Sequence, residues 1–411
     1  MLNNPSKKPV LLWCLANIFF ALQFILRLSV GILREDIMAK FTIDAAMFSS
    51  LSAYYYLGYG ISQIPLGLML DRLSYHLVTA AAILLTATGS YVFITTDSWN
   101  CLLLSRFLTG FGSGIAFLSI AKIIKTFFDE EYHAMLIGLS FTFGLTGAVF
   151  STTPLVIFFQ WYGAPNVLMF VTVIIASIGL LIMLFGNIMD KSEHINQKSK
   201  ILEQLLRVTL NYRLMLIGIC GGLMVGALEG FADVWAVPMF NQIFGFSLID
   251  SSMIIMYVYF GMCCGGPILV FFATMINSND IMIFITSLLT IAIFGLLFLM
   301  PSFSMIPLIL LMFGLGVLCC YQVLVFSAAS SEVDSSSSGL AISIINCINM
   351  SFGYVFHNII GYLFASNWQG EINEQGVALY SANTFIYSLS VIPAGCLIAM
   401  VGFLFLLNDK K

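Results

Sequence analysis

Residues 10–33 read VLLWCLANIFFALQFILRLSVGIL, an apolar run broken by a single charge, Arg27. About 20 mainly apolar residues are enough to cross a bilayer as a helix. The run therefore predicts a membrane span with Arg27 about 17 residues into it. A charge at that depth costs roughly 2.5–3.5 kcal/mol even on insertion scales, so it points to a pathway or a coupling site.

The same pattern recurs along the chain. Approximate spans fall at 10–33, 46–70, 76–96, 99–121, 134–158, 166–187, 214–240, 251–274, 280–300, 304–328, 339–365 and 383–407. The 411 residues are 60% hydrophobic and 9% charged, whereas a soluble domain carries about 25% charged residues. The expectation is an all-α integral membrane protein of twelve transmembrane helices. With the N-terminus inside, Lys7, Lys8, Arg72, Lys122, Lys125, Lys191, Lys198, Lys200, Arg207, Arg213, Lys410 and Lys411 fall on the inner side, and only Arg34 and Lys40 outside. This positive-inside bias places both termini in the cytoplasm. Lys7 and Lys8 precede an apolar run too long for a signal peptide, and no small-x-small cleavage site follows.

One long polar connection, from about Asn187 to Arg213, separates two sets of six spans. It divides the chain into an N-terminal bundle (1–190), a linker (191–213) whose part from Ile201 to Arg207 has helical apolar spacing, and a C-terminal bundle (214–411). Parallel six-span repeats around a midplane site are a known transporter plan. The nine cysteines lie almost entirely within spans, without C-x-x-C or Cys/His spacing. Neither a disulfide framework nor a metal site is indicated, and no cofactor is expected.

Three further charges lie deep within spans: Arg106, Glu229 and Asp233. Both cations belong to the first half and both acids to the second. Gln23 lies one helical turn before Arg27, and such a fork can grip a carboxylate with two parallel hydrogen bonds. An outer-gate salt bridge from Arg27 to Asp233 is the alternative. Glu229 and Asp233, one turn apart, cannot both ionise easily in a low dielectric, so one tends to hold a proton. Glu229 is the expected proton carrier and Asp233 its partner or gate. Permanent pairing of both acids with Arg27 and Arg106 is the structural alternative. Arginine cannot release its proton, so Arg106 has an electrostatic or a packing role. Tyr55, Tyr56 and Tyr59, with Gln63, form a polar aromatic face on span two. Asn346, Asn349, Gly353 and His357 share a face of span eleven, where amides either bond substrate or hold helices together. His357, toward the outer side, is expected to be solvated. Gly218, Gly222, Gly226 and Gly230 form a stripe on span seven where another helix can approach backbone to backbone. Pro238 is expected to kink the outer end of that span.

Between spans two and three, Gly67-Leu68-Met69-Leu70-Asp71-Arg72-Leu73-Ser74-Tyr75-His76 resembles the signature loop of the major facilitator superfamily, G-x-x-x-D-R-x-G-R-K. In span four, Arg106 through Gly114 is similar to that superfamily's R-x-x-x-G-x-G motif. The resemblance covers the whole chain and implies two six-helix bundles. It implies gating roles for Gly67, Asp71 and Arg72, and proton transfer or helix packing for Arg106. Ser74 and Tyr75-His76 depart from the pattern, which leaves His76 as a charge only at low pH. The chain around Arg27, with Tyr56, Tyr59, Gln63 and Pro65, resembles the branch containing lysosomal dipeptide transporters and their bacterial relatives.

The expected function is a secondary active transporter that moves a small polar or carboxylate-bearing metabolite by alternating access with proton symport. Candidate substrates are amino acids, short peptides and organic anions. Substrate binding falls to Arg27, Gln23, Tyr55, Tyr56, Tyr59, Asn346 and Asn349, and proton coupling to Glu229, Asp233 and Arg106. An uncoupled facilitator, exchanger or exporter of the same fold is the alternative. An embedded enzyme lacks its ligand or nucleophile set, and a sensor would bring a soluble tail. The expected surroundings are a bacterial inner membrane and its lipid. The expected partners are a small molecule and protons, with no nucleic acid, and the chain is expected to act as a monomer.

Overall fold

The structure, a computed structural model, describes residues 7–186, 201–299, 304–334 and 337–408. The expected linker therefore lies outside the described residues as far as residue 200, and so do both chain ends. Its second part is a helix, Ile201–Thr209, as the spacing predicts. The described chain is helical, and its one antiparallel bridge joins Ile372 to Ala378 in the loop before the last span. Helices dominate because a lipid-embedded backbone must satisfy its polar groups internally.

Eleven helices among the described residues are long and apolar enough to cross a membrane. They correspond to every expected span except the second. That segment is a 28-residue helix, Ala45–Arg72, long enough to cross. Tyr54, Tyr55, Tyr56, Tyr59 and Gln63, with several serines, make it less apolar than the rest. Span five divides into Glu130–Phe150 and Thr153–Tyr162, with Pro154 in the first turn of the second piece, where its missing N–H costs nothing.

The chain forms two compact units. One comprises Met1–Ser29 and Tyr54–Asn196, the other Val30–Ala53 and Gln197–Lys411. Residues 30–53 thus cluster with the second half of the sequence. Within that second unit, Ser50 donates its hydroxyl to Asn358 Oδ1 at 2.9 Å. A Cβ on Gly361 would overlap the Ser49 side chain.

The two units share one packing pattern. In the first, a Cβ on Gly58 would overlap the Phe107 carbonyl, and one on Gly110 the Tyr55 carbonyl. In the second, Gly261 stands in the same way against Phe313 and Gly316 against Val258. Positions 55 and 58 map onto 258 and 261 with a shift of 203 residues, and 107 and 110 map onto 313 and 316 with a shift of 206. Backbone contact through glycine tolerates little shift of register, so these pairs align the second span with the eighth and the fourth with the tenth.

The span-seven glycine stripe packs differently from expectation. Gly218, Gly222, Gly226 and Gly230 face the side chains of Ile345 and Ile348, Phe352, Phe356, and Ile360 on the helix Ser338–Ser366. Large side chains fill the stripe, so the two backbones stay apart. His76 and His357 are both buried rather than available to solvent. His76 packs where a Cβ on Gly186 would fall, because the aromatic ring fills the space that glycine leaves.

Candidate functional site

In the first unit the helix Lys7–Ile32 carries Gln23 and Arg27 on one face, and the helix Ala45–Arg72 answers with three tyrosines. Tyr55 donates its hydroxyl to Gln23 Oε1 at 2.6 Å. Arg27 donates from Nε to the Tyr56 hydroxyl at 3.1 Å, and its guanidinium carbon lies 4.9 Å from the Tyr56 ring centre and 5.7 Å from that of Phe24. Tyr59 lies tilted against Tyr55, with ring centres 6.2 Å apart. The half-buried guanidinium is thus oriented by one hydroxyl and two ring faces.

Arg106, buried on the helix Trp99–Ser113, approaches no carboxylate of its own unit among the described residues. Its Nη1 donates to the Leu26 carbonyl at 2.8 Å and its Nη2 to the Arg27 carbonyl at 3.3 Å. Its guanidinium carbon lies 4.9 Å from the Tyr55 ring centre. The residue clamps the first helix at the level of Arg27. The motif glycines that follow make close contacts: Gly110 with Tyr55, Gly112 with Ala82 and Thr86, and Gly114 with Ser62.

In the second unit the seventh span changes its winding. Tyr212–Met224 is α-helical, Val225–Ala227 is a 3₁₀ turn, Leu228–Trp235 is π-helical, and Ala236–Gln242 returns to α. Both acids lie on the π segment, 1% (Glu229) and 7% (Asp233) exposed. Such segments are rare and concentrate at functional sites. The irregularity precedes Pro238, which sits in the first turn of the last α piece. Asp233 Oδ1 accepts from the Tyr259 hydroxyl at 2.8 Å. A Cβ on Gly31 would overlap the Asp233 carbonyl, so helix Lys7–Ile32 ends directly against the segment.

The register alignment relates these two sets of residues. The shift of 203 carries Tyr56 onto Tyr259. Each unit therefore holds a charged residue bound to a tyrosine at the same place, with opposite sign. Arg106 maps onto Met312, so the seventh span has no equivalent of the clamp.

Other expected site residues lie elsewhere. Asn349 is fully buried beside Gly221, with neither amide atom hydrogen-bonded among the described residues. Gly221 precedes Glu229 by about 12 Å of helix. Asn346 is half-buried one turn away. At the end of helix Ala45–Arg72, Asp71 Oδ1 accepts from Lys122 Nζ at 2.9 Å, with both groups partly or largely in solvent. Arg72 is exposed, and a Cβ on Gly67 would meet no atom within 4 Å.

Two residues carry more structure than their sequence context indicated. Tyr259 has one sequence signal: the shift of 203 makes it the repeat counterpart of Tyr56. Arg34, expected in an outer loop, is buried in the second unit. Its Nη2 donates to Glu35 Oε1 at 3.2 Å and its guanidinium carbon lies 5.8 Å from the Trp235 ring centre. Trp235 stacks on Phe364 at 3.9 Å and meets Tyr380 edge-on. Burial pushes the Tyr380 hydroxyl up to about 12, against the opposing pull of Arg34.

Apolar helices long enough to cross a membrane, with charges buried among them, make this a multi-pass membrane protein. Residues 12–357 match the model of the Major Facilitator Superfamily, and the chain belongs to that superfamily. The chain is a transporter rather than an enzyme. Among solved structures, a mutant form of the nucleoside transporter NupG is similar with a TM-score of 0.74 and 15% identity, over 96% of this chain and 99% of that one. A bacterial homologue of the human lysosomal transporter Spinster, inward-facing and occupied, is similar with a TM-score of 0.67 and 14% identity, over 100% and 98%. At such identities the likeness is one of fold. No curated protein matches the chain.

Proposed function

We propose that this chain is a proton-coupled secondary transporter for a small carboxylate-bearing metabolite, working by alternating access. Arg27, oriented by Tyr56, is the carboxylate ligand, because its planar fork suits that group. Gln23, Tyr55 and Tyr59 complete the polar face beside it. Glu229 is the proton carrier, and one observation supports this most. Glu229 and Asp233 lie one turn apart on the same buried segment, 1% and 7% exposed, and Asp233 accepts from the Tyr259 hydroxyl. Two carboxylates so close in a low dielectric do not both ionise easily, and Glu229, the more deeply buried, is the one a proton neutralises. Arg106 serves this reading as the clamp that holds Arg27 at its level, and Asp71 and Arg72 as inner-gate groups.

Ala45–Arg72 completes twelve spans in this reading, with both termini in the cytoplasm, as the distribution of lysines and arginines supports. A bacterial inner membrane and a monomer fit the same reading. The test uses purified protein in liposomes that contain a pH-sensitive dye, challenged with amino acids, short peptides and organic acids. Ligand-dependent acidification that disappears in Glu229→Gln supports symport. Tracer uptake without proton movement makes the protein a facilitator or exchanger.

A further inference from the structure

We infer that the second unit holds a halide-binding site, formed by Arg34, Trp235 and Gln242 around Tyr380. Among the described residues, Arg34 Nη1, Trp235 Nε1 and Gln242 Nε2 are buried and have no hydrogen-bond partner. The three side chains share one neighbourhood. The Arg34 guanidinium carbon lies 5.8 Å from the Trp235 ring centre, and the Trp235 and Tyr380 ring centres are 6.2 Å apart. Tyr380 in turn donates its backbone N–H to Gln242 Oε1 at 3.1 Å. That bond fixes the orientation of the Gln242 amide, because only its oxygen can accept from a backbone N–H. The unpartnered atom of Gln242 is therefore the amide nitrogen, a donor.

All three unpartnered groups donate, and none can accept. Native structures leave few buried polar groups unpaired, so three such donors in one neighbourhood call for a shared acceptor. A water would have to donate twice in return, whereas Gln242 Oε1 and Glu35 Oε1 already accept. An anion only accepts. The local charge favours one, since Arg34 is 2% exposed while its carboxylate partner Glu35 is 42% exposed and largely screened by water. Burial pulls the Arg34 guanidinium below its usual value, and Glu35 opposes that pull without cancelling it. Asp44, the other acid near Tyr380, is exposed and accepts from the Met47 backbone N–H. With Nη2 taken by Glu35, Arg34 offers a single nitrogen rather than the parallel pair that grips a carboxylate. A single-centred monovalent ion suits N–H groups arriving from three side chains. Bound there, it ties residues 30–53 to the end of the Leu228–Trp235 segment and to the loop before the last span.

The test measures thermal unfolding of the purified full-length protein against sodium chloride, bromide, acetate and gluconate at constant ionic strength. In the wild type, chloride and bromide should raise the unfolding temperature along a saturating curve, and acetate and gluconate should not. Trp235→Phe keeps an aromatic ring against Phe364 and removes only the indole N–H from the site. It should raise the half-saturating chloride concentration about tenfold or more, the usual effect of one hydrogen bond to a charged group. Gln242→Glu retains an acceptor for Tyr380 and puts a carboxylate oxygen in place of the unpartnered nitrogen. It should remove the chloride response without lowering the unfolding temperature in gluconate.

Equal unfolding temperatures of the wild type in all four salts would overturn the inference and leave the three donors to water. Stabilisation by acetate but not by the halides would overturn it as well. So would an unchanged chloride curve in Trp235→Phe or in Gln242→Glu, either of which places the ion elsewhere.

Discussion

The clamp formed by Arg106 makes a prediction that runs against ordinary conservative substitution. A hydrogen bond from a charged donor contributes about 1.5–3 kcal/mol, and the Nη1 bond to Leu26 at 2.8 Å deserves the upper part of that range, the 3.3 Å bond to Arg27 the lower. Arg106→Lys keeps a buried charge and its desolvation cost, reaches one carbonyl instead of two, and loses the planar contact with Tyr55. The net loss is about 2 kcal/mol, roughly a thirtyfold change in the folded ratio. Arg106→Met loses both bonds but also removes the desolvation cost of an unpaired buried ion, several kcal/mol, which offsets most of the loss. The helical carbonyls it leaves retain their own bonds within the helix. Thermal unfolding in detergent should therefore rank the wild type and Arg106→Met close together and Arg106→Lys clearly below. If Arg106 instead takes part in proton coupling, charge is what matters. Lysine then preserves proton uptake and methionine abolishes it in a folded protein. That pattern would refute the clamp.

Other outcomes follow from the same contacts. Gly110→Val and Gly316→Val place side chains on the carbonyls of Tyr55 and Val258 and should yield aggregated protein on size exclusion, whereas Gly67→Ala should remain monodisperse. Asp71→Asn should slow turnover more than it weakens binding. It should change stability by less than about 1 kcal/mol, since the Lys122 pair is largely solvated; a pure affinity defect in transport kinetics would count against gating. Tyr380, raised from 10.0 to about 12 by burial, keeps its proton in the folded state over a range where the unfolded chain loses it. Its contribution to stability is complete below pH about 10 and is lost as pH climbs toward 12, so Tyr380→Phe should flatten the alkaline limb of a stability profile.

Much of the fold was legible because membrane spans obey a length rule and because buried charges are costly enough to be conspicuous. Arg27, Arg106, Glu229 and Asp233 all stood out for that reason. The polarity of Tyr54, Tyr55, Tyr56, Tyr59 and Gln63 both revealed a functional face and weakened the apolar signal of the span that carries it. The π winding of residues 228–235 was not legible, since Leu-Glu-Gly-Phe-Ala-Asp-Val-Trp contains no local break; the contacts with Gly31, Ile360 and Tyr259 lie far away in sequence. The burial of His76, His357 and Arg34 depends likewise on distant partners. The repeat was visible as two halves of similar length. Its register became visible only through glycines whose partners are backbone carbonyls.

The central claim, that Glu229 couples proton movement to transport, is tested most directly by tracer flux in liposomes with an imposed pH gradient, acidic outside. The account predicts that the wild type accumulates its substrate above the external concentration and loses this with a protonophore. Glu229→Gln should still exchange labelled for unlabelled substrate across the membrane but should accumulate none. Accumulation by Glu229→Gln equal to that of the wild type would contradict the account.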